Sequence, residues 1–123
     1  MVGTNDLNKS EMFYNKLLDT VGLKKIYSDE SCVGYGQKSG PEIVEFYITM
    51  PANGEPATYG NGTQISFLSN TRAEVDKFHT TGIENGGVSE GLPGLRPEGA
   101  TTYYSYVRDL NGNKVCAYTD SKD

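Results

Sequence analysis

Apolar residues recur at helical spacing in two segments of the chain, and this pattern predicts two helices. Asp6 is a suitable N-cap for the first helix, and Gly22 provides its end. The apolar stripe of this helix consists of Leu7, Phe13, Leu17, Leu18 and Val21. The second helix begins at the capping box Thr71-Arg72-Ala73-Glu74, runs through Val75, Phe78 and Ile83, and ends at Gly86-Gly87.

Shorter apolar runs between polar and glycine turns predict strands at residues 23–27, 32–37, 43–50, 63–68, 102–108 and 113–119. The last two are joined by Asp109-Leu110-Asn111-Gly112, a strong hairpin signal. Residues 51–62 and 90–100 are rich in glycine and proline, and we expect both segments to be loops.

The two halves of the chain can be superimposed with an offset of 65 residues. Phe13 then corresponds to Phe78 (78 − 13 = 65), and Asn5 corresponds to Asn70. The order of elements predicts an α+β fold of two βαβββ modules, at residues 1–50 and 63–123, joined by a linker at 51–62 in one domain spanning 1–123. The equivalent of Thr63 falls before Met1, so we expect a short first strand.

Composition excludes several classes of protein. The net charge is −5 at neutral pH, which gives no basic footprint for nucleic acid or an anionic membrane. No apolar run approaches the roughly 20 residues of a membrane span, and no secretory signal is visible. Cys32 and Cys116 are too few for a disulfide framework, so we expect a reducing, cytoplasmic location.

The order of motifs resembles the vicinal oxygen chelate superfamily, which includes glyoxalase I, bleomycin resistance proteins and extradiol dioxygenases. The matching segments are residues 2–7 with Ser10 and Phe13-Tyr14, 51–58 with 60–62, Ile65-Ser66-Phe67 with 73–76 and Phe78-His79, and 106–114. The resemblance implies two curved four-stranded sheets around a cavity, called here the cup. It does not imply one reaction, because this scaffold supports several chemistries.

The resemblance also implies where a metal ion would bind. Metal-binding members place one ligand, usually His or Glu, on each of four strands. The first position falls upstream of Met1, and the other three are Tyr47, Gln64 and Cys116. This set holds divalent ions poorly, so we predict no metal and no cofactor.

Alternation along the strands assigns side chains either to the core or to the cup. The residues assigned to the core are Val44, Phe46, Ile48, Ile65, Phe67, Val115 and Ala117. The ligand-binding candidates in the cup are Glu45, Tyr47, Gln64, Cys116 and Tyr118, with Tyr104 and Tyr106 from the neighbouring strand. They predict an aromatic, polar pocket. The alternative is that the tyrosines fill the cup or face a dimer partner.

Other reactive side chains have simpler interpretations. Cys116 is a candidate nucleophile, but a buried thiol is the more common state of a free cysteine. We expect His79, the only histidine, at a helix surface or helix–sheet contact. Glu45 is either a general base or a solvated carboxylate at the rim, and Arg96 and Arg108 are either anion-binding or ordinary surface residues.

Three functions therefore remain open. The leading hypothesis is a homodimer that binds a small organic molecule in a metal-free cup, in the manner of the bleomycin resistance branch. The second is a divergent metal-dependent lyase or isomerase that uses Gln64, with or without Cys116, and a His contributed by residues absent from this chain. The third is a structural or protein-interaction domain whose cup is closed by tyrosines.

Overall fold

The computed structural model describes all 123 residues. The elements are β1 (Val2–Gly3), α1 (Leu7–Asp19), β2 (Leu23–Ser28), β3 (Cys32–Gln37), β4 (Phe46–Thr49), β5 (Ile65–Leu68), α2 (Arg72–Glu84), β6 (Val88–Leu95), β7 (Tyr103–Arg108) and β8 (Lys114–Thr119). The strand orders are β1-β4-β3-β2 and β5-β8-β7-β6. In each sheet the first pair is parallel and the others are antiparallel. The predicted α+β fold of two βαβββ modules is confirmed.

The two helices reproduce the repeat seen in the sequence. Helix α1 begins at residue 7 and α2 at residue 72 (72 − 7 = 65), and each has 13 residues. Asp6 caps α1 by accepting a hydrogen bond from the Lys9 amide, and Thr71 caps α2 by accepting one from the Glu74 amide. Both caps satisfy amides that would otherwise lack partners at the first turn.

Strand β6 corrects the prediction of a loop at residues 90–100 for residues 90–95, and residues 96–100 form a loop as predicted. The strand forms the edge of the second sheet, with register irregularities between Ser89 and Gly91 and between Gly91 and Gly94. Pro93 is tolerated because an edge strand can leave one side of its backbone unpaired. Glycine and proline here indicate an irregular edge strand rather than a loop.

Strand β4 is shorter than predicted, and Val44 does not pack under a helix. The Ile43 amide donates to the Pro41 carbonyl at 2.8 Å, which turns the chain before Phe46. A Cβ atom built on Gly34 would lie 2.9 Å from Val44 Cγ1 and 3.0 Å from Tyr47 Cε1. Val44 therefore covers the side of the first sheet that Tyr47 also occupies, opposite the core.

One hydrophobic core joins the two modules. Phe46 of the first sheet meets Phe67 of the second edge to face, with ring centroids 5.1 Å apart. Phe67 in turn lies 6.2 Å from Phe78 on α2. The core predictions for Phe46, Ile48, Phe67, Val115 and Ala117 are confirmed by their burial in this cluster. Neither helix has the length and apolar character needed to span a membrane.

His79 lies where a helix–sheet contact was predicted. It is buried on α2, and its Nε2 atom is 2.8 Å from Ser89 Oγ on β6. Burial lowers the pKa of His79 below its ordinary value of 6.5, and the nearby Asp76 carboxylate partly opposes this effect. The folded chain therefore favours the neutral imidazole, and protonation favours unfolding.

The unfolding free energy is expected to fall as the pH drops below about 6.5 and through the lower folded-state pKa of His79. Above pH 6.5 this contribution is fully present. In His79→Gln the fall between pH 7.5 and 5.5 should be smaller, as measured by urea unfolding at each pH. Equal pH dependences in the two proteins would contradict the assignment.

Candidate functional site

The structure brings Gln64, Ser66 and Cys116 into one hydrogen-bonded group. Ser66 on β5 is the register partner of Cys116 on the parallel strand β8. The Gln64 side-chain amide donates to Ser66 Oγ at 3.0 Å and to Cys116 Sγ at 3.4 Å. The Cys116 thiol donates to Ser66 Oγ at 3.1 Å. Two of the predicted site residues, Gln64 and Cys116, are thus direct neighbours.

The Cys116 thiol is held in its neutral form. It is fully buried, and this burial raises the pKa of Cys116, while the Ser66 hydrogen bond and the Lys114 charge oppose the rise. His79 is engaged with Ser89 on the other side of the sheet and is not available as a base. A thiol with a raised pKa and no base is a poor nucleophile.

Alkylation of the native protein by iodoacetamide at pH 7.5 is expected at Cys32 before Cys116. Cys32 is partly exposed, whereas Cys116 is buried, and attack requires an accessible thiolate. Peptide mapping of the modified thiols over time gives the order, with the urea-unfolded chain as the control in which both react. Faster modification of Cys116 would instead indicate an activated thiol.

Three tyrosines form a stack beside this group, called here the tyrosine stack. The Tyr104 ring lies 5.7 Å from the Tyr106 ring and 5.8 Å from the Tyr118 ring, with interplanar angles of 9° and 24°. Tyr104 is paired with Tyr118 across the strands, and Tyr106 with Cys116. Ser105 lies between Tyr104 and Tyr106 on β7 and faces the opposite side of the sheet, because its Oγ donates to the Val75 carbonyl of α2. The stack therefore occupies the outer face of the second sheet.

Glycines of β6 make room for the stack. Gly91 is the register partner of Tyr106, and Gly94 is that of Tyr104. A Cβ atom on Gly91 would come within 2.7 Å of Tyr106 Cδ2, so a larger residue would displace the ring. Their glycine- and proline-rich surroundings predicted a loop, so the role of these glycines beside the tyrosines was not predicted.

Positive side chains surround the Tyr106 end of the stack. Lys114 Nζ lies 5.0 Å and Arg96 Cζ 5.2 Å from the centroid of the Tyr106 ring. Arg108 forms an ion pair with Glu90 at 3.1 Å. Lys114 was not predicted, although alternation along β8 places it on the same face as Cys116.

Tyr47 makes no hydrogen bond and no ring contact with Gln64, Ser66, Cys116 or the tyrosine stack. Glu45 makes no hydrogen bond with them either. Tyr47 belongs to the first sheet, where its ring packs against Tyr27 at 6.5 Å across Gly34. Both sheets contribute residues to the shared core through Phe46 and Phe67. That Tyr47, Gln64, Cys116 and Tyr118 surround one cavity stays a prediction.

A cleft of about 780 Å³, called here the intermodule cleft, lies between the two modules. Two of the predicted site residues line it: Glu45, just before β4 of the first module, and Tyr118 on β8 of the second. The other lining residues are Met1, Val21, Gly22, Leu23, Gln37, Lys38, Ser39, Phe46, Ile65, Ser66, Phe67, Leu68 and Asn70. Glu45 is exposed, which agrees with the rim carboxylate among its predicted alternatives.

Comparison with solved structures identifies the family. A glyoxalase/bleomycin resistance protein from Albidiferax ferrireducens T118 is 42% identical, with a TM-score of 0.83 over 97% of this chain and 93% of that one. The chain belongs to the glyoxalase/bleomycin resistance/dioxygenase superfamily. No protein-family model and no curated protein matches the sequence.

Two more distant superfamily structures share the fold. A glyoxalase-related enzyme from Fulvimarina pelagi is 18% identical, with a TM-score of 0.71 over 96% of this chain and 83% of that one. A lactoylglutathione lyase from Agrobacterium tumefaciens is 23% identical, with a TM-score of 0.60 over 97% of this chain and 92% of that one. At these identities the similarity establishes the architecture and not the reaction.

The superfamily's metal positions carry unsuitable donors in this member. No group of three His, Cys, Asp or Glu side chains is placed to hold a metal ion. At the expected positions, Gln64 directs its N–H donor toward Cys116, and the pKa of that thiol is raised. Tyr47 lies on the separate first sheet. Since divalent ions require deprotonated or lone-pair donors that converge, these side chains do not fit a metal ion.

Proposed function

We propose that this protein binds a small organic molecule with a planar aromatic group on the outer face of its second sheet, without a metal ion. The observation that carries the proposal is the tyrosine stack of Tyr104, Tyr106 and Tyr118. Its rings are only half-buried, so they remain accessible to a ligand. Parallel rings offer a platform on which a further aromatic ring can stack.

The polar group beside the stack supplies directional contacts. Gln64 has a side-chain carbonyl oxygen with no hydrogen-bond partner, while its N–H group contacts Ser66 and Cys116. The tyrosine hydroxyls of the stack likewise make no hydrogen bond within the chain. An apolar platform with a few convergent polar atoms is the usual composition of a small-molecule site.

We further propose that a second copy of the chain completes the site. Leu68 is the register partner of Tyr118 on the same outer face and is 65% exposed, and Leu92 on β6 is 68% exposed. A sheet face alone encloses little of a ligand, whereas two such faces can form a pocket. Light scattering during size-exclusion chromatography should give the mass of a homodimer, about twice 13.4 kDa. A monomer at micromolar concentration would contradict this part of the proposal.

Binding can be tested with 2-naphthol, indole and 2-naphthoate after the protein has been treated with EDTA. Heteronuclear NMR titration is expected to show saturable shifts at the tyrosine stack that do not depend on added Zn²⁺ or Ni²⁺. Tyr118→Ala and Tyr104→Ala should weaken binding by about tenfold or more, since stacking on one aromatic ring contributes about 1–3 kcal/mol.

Tyr27→Ala is the matched control, because Tyr27 is an exposed tyrosine on the first sheet. It should bind the three compounds as the wild type does. Failure of all three to bind at millimolar concentration would overturn the proposal and favour a structural or interaction domain. Binding or turnover that requires added metal would favour a metal-dependent lyase or isomerase.

A further inference from the structure

The second sheet holds two positive charges directly opposite each other. Arg108 on β7 is the register partner of Lys114 on β8. Like charges in such a cross-strand pair repel and destabilise the sheet. In a chain whose net charge is −5, this arrangement is not a consequence of general composition.

Within the chain, a single carboxylate compensates this cluster. Glu90 pairs with Arg108, and the pKa of Glu90 lies below its usual range because Arg108 donates to it, with a smaller contribution from Lys114. No carboxylate lies within 4.0 Å of the Lys114 ammonium or the Arg96 guanidinium, since the three ion pairs of the chain involve neither residue. Three cations and one anion leave an excess of two positive charges.

Both uncompensated cations lie beside the same aromatic ring. Lys114 and Arg96 each lie about 5 Å from the centroid of Tyr106, at one end of the tyrosine stack. The Arg96 guanidinium uses one N–H group to bond the Leu92 carbonyl at 2.8 Å and has other N–H groups free. Lys114 approaches the ring from β8 and Arg96 from the end of β6, so a carboxylate at the edge of the Tyr106 ring can accept hydrogen bonds from these flexible side chains while its aromatic part rests on the tyrosines.

We propose that the ligand of this site is an aromatic anion of the carboxylate class, with its charge bound by Lys114 and Arg96. The inference rests on the proposed function, because it assigns the charge of the molecule that the tyrosine stack binds. Arginine presents a planar fork that matches a carboxylate, and lysine adds a point charge. Association of the anion lowers the charge excess beside Tyr106 from two positive charges to one.

The test compares 2-naphthoate with 2-naphthamide, which has nearly the same shape but no charge. Isothermal titration of the wild type is expected to give about tenfold tighter binding of the carboxylate, as charge-assisted hydrogen bonds predict. Raising the salt concentration should weaken binding of the carboxylate and not of the amide. In the double variant Lys114→Gln/Arg96→Gln the two affinities should agree within about twofold.

Lys77→Gln is the matched control, because it removes an exposed positive charge from α2 and leaves the outer face unchanged. It should retain the preference, and circular dichroism should show that every variant is folded. Equal binding of the two compounds by the wild type would overturn the inference while the proposed function stands. A preference that survives in the double variant would also overturn it. Binding of neither compound by the wild type would overturn both.

Discussion

Replacing Phe67 with alanine is expected to lower the unfolding free energy by about 3–5 kcal/mol, the usual cost of deleting a buried aromatic ring. Phe67 is the link between the modules, since its ring lies against Phe46 of the first sheet and near Phe78 of α2. Domains of this size are stable by about 5–15 kcal/mol, so this loss approaches the whole stability of a marginal protein. Urea unfolding followed by far-ultraviolet circular dichroism gives the value.

Leu68→Ala is the matched control for this prediction. Leu68 follows Phe67 on β5 but faces outward and is 65% exposed, against 8% for Phe67. Alternation therefore predicts a change within about 0.5 kcal/mol for the monomeric chain. Similar losses in the two variants would contradict the assignment of the faces of β5. A loss at Leu68 that grows with protein concentration would instead support a dimer through the outer face.

The helices and most of the core were predictable because their signals are local. Asp6 and Thr71 mark helix starts through hydrogen bonds to residues three positions on, and both helices follow them as expected. The alternation that placed Phe46 and Phe67 in the core depends only on the period of a strand. The rule was wrong for Val44 because the turn at Pro41 delays the start of the strand to Phe46.

The site was only partly predictable because it depends on which strands become neighbours. Alternation placed Cys116 and Tyr118 on one face, and the resemblance to the superfamily located Gln64 beside them. The glycines of β6 are informative only once Gly91 is known to lie opposite Tyr106. The local pattern does not specify how two sheets face each other, so the sequence cannot establish whether Tyr47 shares a cavity with Gln64, Cys116 and Tyr118.

The intermodule cleft marks the place where the repeat is broken. In the second module the five residues 109–113 connect β7 to β8 and dock on the start of the first module. The Asn5 amide donates to Asn111 Oδ1 at 3.0 Å, and the Asn113 side chain donates to the Gly3 carbonyl at 2.9 Å. The corresponding connection of the first module, residues 38–45, is longer and lines the cleft together with Asn70, the equivalent of Asn5.

The docked connection depends on one buried carboxylate, so Asp109→Ala is expected to lower the unfolding free energy by about 3–5 kcal/mol. Asp109 Oδ2 accepts from the Tyr14 hydroxyl at 2.6 Å and from the Asn113 side chain at 2.9 Å. Its Oδ1 accepts from the backbone amides of Asn111 and Asn113 at 2.8 Å and 2.9 Å. Alanine would leave several donors in a buried environment without a partner, at about 1–3 kcal/mol each.

A double-mutant cycle separates this network from simple loss of packing. Tyr14→Phe removes one donor and keeps the ring, so it should cost about 1–2 kcal/mol. Once Asp109 is alanine, the Tyr14 hydroxyl has no acceptor, and Tyr14→Phe should then be neutral or stabilising. Urea unfolding of the four proteins gives the coupling energy. Additive losses would mean that the Tyr14 hydroxyl and the Asp109 carboxylate contribute to stability independently of each other.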